Sequence, residues 1–403
     1  MPENQHASDL QGASQLAIDA VKGITGIVEA LHATILTLGV GKVADEQPTG
    51  GLTGFVYRWI DTTATVTGKA LGLFFKALSP LLEDIPAHPH REAVVSAING
   101  VLGDYLVGSG NPLAIPMQFR VEGKAVSAAE IARQVAQNAA QEGKKDALLI
   151  VVHGLCMNDL QWHRQGHDHG QALAQALGFT PVYLHYNTGQ HISDNGRDFS
   201  RALQALSEAL PSGTEWHVLA HSMGGLVTRS AYRQASAQAL GWTRRLKKIV
   251  FLGTPHQGAV LEKGGNLVDV VLDANPYTKP FSKLGKIRSA GITDMRFGAL
   301  LESDWQGKDR FALEGNLPAT VPLPAEVPCY AVASTTGPAA NALHDESIGD
   351  GLVTVGSALG RHAQARRQLQ FPPENCWIGY GIDHLQLLAD PSVYEVVERW
   401  MKH

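Results

Sequence analysis

The chain has 403 residues, of which 44% are hydrophobic and 18% charged, with a net charge of -5. That composition belongs to a globular protein with one large domain, or one plus a smaller module. The acidic balance leaves no basic footprint for nucleic acid or an anionic membrane.

The opening M-P-E-N-Q-H-A-S-D-L lacks the basic and apolar segments of a secretory signal. From 15 to 38, Ile24, Ile27, Val28, Leu31 and Ile35 recur at helical spacing, and a second helical stretch is expected over 53–82 (Val56, Ile60, Val66, Ala70, Phe74). A third is expected over 91–106, through Val94, Ile98, Val101 and Tyr105. Residues 1–108 therefore read as a helical module. Its Phe and Trp residues read as packing against the main domain, with a lipid- or substrate-facing surface as the alternative. Met117–Val121 alternates and Glu122-Gly123-Lys124 supplies a turn, which predicts a hairpin. Ser127-Ala128-Ala129-Glu130 is a capping box opening an Ala-rich helix to about Gln141.

From Ala147 onward, strands alternate with helices. The apolar runs Ala147–Val152, Val182–His185, Trp216–Leu219, Ile249–Leu252, Tyr330–Ala333 and Trp377–Tyr380 read as strands. Asp198–Leu210 and Val393–Met401 read as helices. Such alternation predicts a mostly parallel sheet with helices on both faces. Between Gly258 and Val327 roughly 70 residues carry helical segments (Leu267–Leu272, Met295–Leu301) and Pro-rich chain but no strand, the pattern of a lid or cap inserted above a sheet. No apolar run reaches the ~18 residues of a membrane span. Cys156, Cys329 and Cys376 are too few and too widely spaced for a disulfide framework or zinc knuckle, so a reducing, cytoplasmic setting is expected.

The chemistry centres on Ala220-His221-Ser222-Met223-Gly224, which follows a strand and opens a helix. Small residues two positions either side of the serine match a nucleophile elbow, with Ala220 in place of the first glycine. A serine nucleophile needs a base, a group that orients the base, and two donors for the oxyanion. His153-Gly154-Leu155 ends the strand 147–152, so the N–H of Leu155 and that of Met223 are the candidate donors. Asp350, between Gly349 and Gly351, is the candidate acid over Asp345, Glu346 and Asp383. His384, after the last strand, is the candidate base, while His221 is expected to pack around the elbow. His153, Gly154, His221, Thr254 and His256 are candidate substrate contacts, the last two from Gly253-Thr254-Pro255-His256-Gln257-Gly258 at the rim. Tyr186–Ser193 ends another strand and reads as structural, with hydrogen bonding around the site as the alternative. His163, His167 and His169 read as solvated loop residues, so neither a metal nor a cofactor is expected.

Taken together, V-V-H-G-L at 151–155, A-H-S-M-G-G at 220–225, G-T-P-H-Q-G at 253–258, D-G-L-V at 350–353 and D-H-L at 383–385 resemble bacterial lipases and carboxylesterases of the α/β-hydrolase superfamily. The resemblance implies an α/β-hydrolase domain over 109–403 with a lid or cap at about 259–326. It implies a Ser222–His384–Asp350 triad with Leu155 and Met223 as oxyanion donors. Secreted lipases with a similar D-G-L-V often bind calcium through an Asp two residues after the histidine. Gln386 stands at that position here, so no calcium is expected. The expected activity is hydrolysis of carboxylic esters, from small esters to lipid-like or polyester substrates. Thioesterase, acyltransferase or amidase chemistry would use the same machinery, and a non-catalytic lipid-binding module is the alternative from another class.

Overall fold

The computed structural model describes residues 89–142, 144–259, 289–308 and 318–402. The helices expected over 15–38 and 53–82, and at 267–272, lie outside these. The elements that position the site belong to one compact unit, residues 95–271 with 285–403. The other unit, 1–94 with 272–284, enters the described residues only as the first turns of helix α1 (Pro89–Gly108).

In chain order, α1 is followed by β1 (Gln118–Val121), β2 (Lys124–Val126), α2 (Ala128–Ala139), β3 (Ala147–Val152), α3 (His169–Leu177), β4 (Thr180–His185), α4 (Ile192–Ala209), β5 (Glu215–His221), α5 (Met223–Ala237) and β6 (Leu246–Leu252). Then come α6 (Ala290–Phe297), α7 (Glu302–Trp305), β7 (Cys329–Thr335), α8 (Ala342–Ser347), α9 (Val355–Ala358), β8 (Cys376–Tyr380) and α10 (Pro391–Lys402). Among the described residues eight strands form one sheet in the order β2-β1-β4-β3-β5-β6-β7-β8. β1 is antiparallel to both neighbours, and the pairs from β4 to β8 are parallel.

Strand β3 shows how the layers form. All six of its residues are buried, because both faces of the sheet are covered. Ala147, Leu149 and Val151 join a cluster with Leu173 and Leu177 of α3 and Val393, Val397 and Trp400 of α10. The alternate residue Val152 faces α5, so closely that a Cβ on Gly224 would lie 2.9 Å from its methyl carbon. With α2 packed on α4 and α4 on α5, the sheet has helices on both faces, an α/β-hydrolase architecture.

The hairpin and the capping box form as expected: Ser127 Oγ accepts from Glu130 N–H, and the Glu130 carboxylate accepts from Ser127 N–H. Asp345 and Glu346, passed over as candidate acids, lie in helix α8, which is capped by the Asn341 side chain. Within the insertion, the helix expected over 295–301 runs Ala290–Phe297. It starts at the Ser289 cap and ends at the left-handed Gly298.

Candidate active site

Strand β5 delivers its chain to Ser222, and α5 begins one residue later. Ser222 sits at φ 54° and ψ -125°, a backbone conformation that costs a non-glycine residue on the order of 1–3 kcal/mol. It is held there from two sides. Its N–H donates to the Leu252 carbonyl (2.8 Å), and its own carbonyl accepts from Gly225 N–H (3.0 Å). The two glycines that follow permit this turn. A Cβ on Gly224 would lie 2.6 Å from the carbonyl oxygens of Val152 and His153, and one on Gly225 would lie 2.0 Å from Thr254 Oγ1.

Asp350 and His384 follow β7 and β8. Both are buried. The Asp350 carboxylate has its two oxygens differently engaged. Oδ1 accepts from the N–H groups of Leu352 (2.9 Å) and Val353 (2.8 Å), and Oδ2 accepts from His384 Nδ1 at 2.7 Å. A main-chain bond from His384 N–H to the Asp350 carbonyl (3.0 Å) pins the two loops together. With its Nδ1 proton on the carboxylate, the imidazole presents Nε2 as an acceptor. Asp383 is turned to other work: Oδ1 accepts from Leu385 and Gln386 N–H, and its N–H donates to Gln386 Oε1.

Ser222, His384, His221 and Leu155 line one small cleft, walled by Met157, Met295, Leu352 and Val353. Leu155 stands on a loop so close to the serine that a Cβ on Gly154 would lie 2.9 Å from Ser222 Cβ. The loop is braced at Cys156 (φ 58°), whose N–H donates to Thr188 Oγ1 (3.1 Å). Among the described residues neither the Leu155 nor the Met223 N–H meets a protein acceptor.

The other candidates divide by position. His221 lines the cleft, and its Nε2 donates to the His384 carbonyl (3.0 Å). His153, Thr254 and His256 are buried outside the cleft lining. His153 stacks on Tyr186 at 4.5 Å, and its Nδ1 reaches the Gly154 carbonyl at 2.9 Å; burial holds its pKa down at about 4. Thr254 packs on Gly225. His256 accepts from the Arg229 guanidinium (3.2 Å) between Phe251 and Phe371, and burial lowers its pKa well below the usual range. His167 and His169 bond to each other at 2.7 Å, and His169 Nε2 donates to the Leu387 carbonyl.

Two contributors, Met157 and Met295, carried no sequence signal, and a third, Thr188, carried a weak one. Thr188 sits in a stretch read as structural, and its hydroxyl holds the peptide after Leu155. Met157 follows the recognised H-G-L. Met295 arrives from the insertion, far from the other motifs in sequence.

The strand order and the helices on both faces thus define an α/β-hydrolase fold. The chain belongs to the family described as Domain of unknown function (DUF7379), whose model matches residues 93–295. Among solved structures, lipase BlEst2 of Bacillus licheniformis is 14% identical, with a TM-score of 0.40 over 65% of this chain and 93% of that one. Lipase B of Aspergillus fumigatus is 14% identical, with a TM-score of 0.41 over 65% of this chain but 53% of that one, so the match spans about half the fungal protein. Naproxen esterase of Bacillus subtilis is 14% identical, with a TM-score of 0.35 over 69% of this chain and 100% of that one. A search of curated protein sequences gave no match. No helix among the described residues is long and apolar enough to cross a membrane.

Proposed function

We propose that the protein is a serine hydrolase of carboxylic esters. The observation that carries this reading is the cleft shared by Ser222, on its strained elbow, and His384, whose Nδ1 lies 2.7 Å from Asp350 Oδ2. His384 Nε2 takes the Ser222 proton as the hydroxyl oxygen attacks the ester carbonyl. The negative charge that forms on the carbonyl oxygen is received by the N–H groups of Leu155 and Met223, which are buried and have no acceptor among the described residues. His384 then gives its proton to the leaving alcohol, which leaves an acyl-enzyme. Water, activated by the same imidazole, releases the acid and regenerates the serine.

The apolar walls of the cleft support an acyl group as the part of the substrate held there, and they favour a neutral ester over a charged substrate. Thioesters, amides and acyl transfer to alcohols would call on the same groups, and a substrate panel separates them. The direct test is Ser222→Ala assayed on p-nitrophenyl acetate, with a fluorophosphonate probe on the wild type. Loss of several orders of magnitude in kcat, with probe attached at Ser222, is expected. Hydrolysis by Ser222→Ala at the wild-type rate, or no labelling of Ser222, overturns the reading.

A further inference from the structure

Helix α6 belongs to the insertion that the sequence marks as a lid, yet it is docked on the body by its main chain. Gly291 N–H donates to the Gly189 carbonyl (3.1 Å), and a Cβ on Gly291 would lie 2.1 Å from the Thr188 carbonyl oxygen. At the C-terminal end of the helix, Ala259 N–H donates to the Met295 carbonyl (3.1 Å), and a Cβ on Gly258 would lie 2.2 Å from the Arg296 carbonyl oxygen. Backbone-to-backbone approaches this close hold only one relative position, because glycine at each contact leaves no side chain to repack.

Side chains lock the same helix. The buried Asp294 carboxylate accepts from Ile192 N–H (2.9 Å), which heads α4, and from His191 Nδ1 (3.0 Å). Ser289 Oγ donates to the Gly100 carbonyl before the helix, and Ser230 Oγ donates to the Leu300 carbonyl after it. Trp305 Nε1 bonds to Ser193 Oγ (3.0 Å), and its ring stacks on His191 at 3.7 Å. A helix anchored at both ends and by a buried carboxylate between them is a wall.

Its one contribution to the cleft is Met295, 2% exposed, beside Met157 and Leu155. The free space there is about 10 Å³, room for roughly one water molecule. The Met295 thioether can change rotamer, but its Cα cannot retreat, so it yields space for a few atoms and not for a long chain. We infer that Met295 is a specificity-determining residue that sets the depth of the acyl side of the Ser222 cleft and selects short acyl groups. The inference rests on the ester-hydrolase reading above and names its substrate class.

The test compares kcat/KM for p-nitrophenyl acetate, butyrate and octanoate in the wild type and in Met295→Ala, Met295→Leu and Leu385→Ala, with fluorophosphonate labelling and a melting curve for each. The wild type should favour acetate and butyrate. Met295→Ala should raise the octanoate-to-acetate ratio about tenfold or more, the scale on which a few methylenes count in an apolar pocket. Met295→Leu, similar in volume and folded even if the alanine variant is not, should keep the wild-type ratio. A wild type that prefers octanoate, or a ratio that moves with Leu385→Ala and not with folded Met295→Ala, overturns the inference while leaving the hydrolase reading standing. A wild type that hydrolyses none of the three esters overturns both.

Discussion

His221 Nε2 lies 3.0 Å from the main-chain oxygen of His384, so the residue before the nucleophile braces the backbone of the candidate base. Burial lowers the His221 pKa well below the usual range, which keeps the ring neutral and makes Nε2–H the donor. The two rings stand 4.7 Å apart. Replacing His221 with Phe should keep the packing and remove the donor. The expected outcome is a fall of about 10–100-fold in kcat through misplacement of His384. His221→Gln, which retains a donor, should recover part of the loss. Equal kcat for His221→Phe and wild type on p-nitrophenyl acetate would remove the bracing role.

Asp350 performs two tasks that one substitution separates. In Asp350→Asn the side-chain oxygen can still accept from Leu352 and Val353 N–H, so the loop and the melting temperature should be close to wild type. The amide nitrogen, however, donates where Oδ2 accepted, and Nδ1 of His384 must then give up its proton and leave it on Nε2. A base in the wrong tautomer should lower kcat by about 10³–10⁴-fold. Steady-state kinetics beside a thermal melt checks both halves.

Gly253 lies beneath the base. At φ 55° it occupies left-handed backbone, and a Cβ there would lie 3.1 Å from His384 Cε1 and Nδ1 and 2.7 Å from Leu387 Cδ1. Gly253→Ala should therefore lower the melting temperature, with a cost above about 1 kcal/mol, and reduce kcat on the order of tenfold by displacing the ring. An alanine variant with unchanged kcat would mean that the imidazole position is set elsewhere.

The pH dependence of stability follows from buried histidines. Burial pushes the pKa of His153 and His169 down to about 4 and that of His217 to about 3, against 6.5 in an open chain. Below pH 6.5 the unfolded chain takes up protons that the folded one refuses. The stabilisation is complete above that pH and is lost as pH falls toward 4. Each histidine contributes a slope of up to about 1.4 kcal/mol per pH unit in that window. The melting temperature should drop steeply between pH 6.5 and 4, and His217→Phe, which keeps a ring against Phe179, should soften the slope. A curve as steep in the variant as in the wild type would place the acid sensitivity in other groups.

Much of the architecture was legible because the relevant forces are local in sequence. Ala147–Val152 is apolar at every position because it lies in the middle of the sheet, and the strand ends where the run ends. Ser127 and Glu130 satisfy each other within one turn, so the start of α2 can be read directly. The start of α4 could not. Its first described residue, Ile192, has its N–H capped by Asp294, a residue 102 positions away, and the helix was expected only from Asp198. The candidate site divides in the same way. Ser222, Asp350 and His384 each announce themselves by a turn at the end of a strand. Met295 does not, because what places it is the docking of the insertion on the body.

Among the described residues strand β8 stands at the end of the sheet order and pairs with β7 alone. His384 hangs from the turn that follows it, and that turn returns hydrogen bonds to β7 and the loop beyond through Ile382 to Thr335 and Gly381 to Gly337. The candidate nucleophile, by contrast, grows from β5, flanked on both sides by β3 and β6. The two partners of the proposed proton transfer are thus tethered to parts of the molecule with unequal resistance to opening. Fraying at the sheet edge, a fluctuation far smaller than global unfolding, is enough to part them. Mild denaturation should silence such a site while the tryptophans of the interior still report a folded protein.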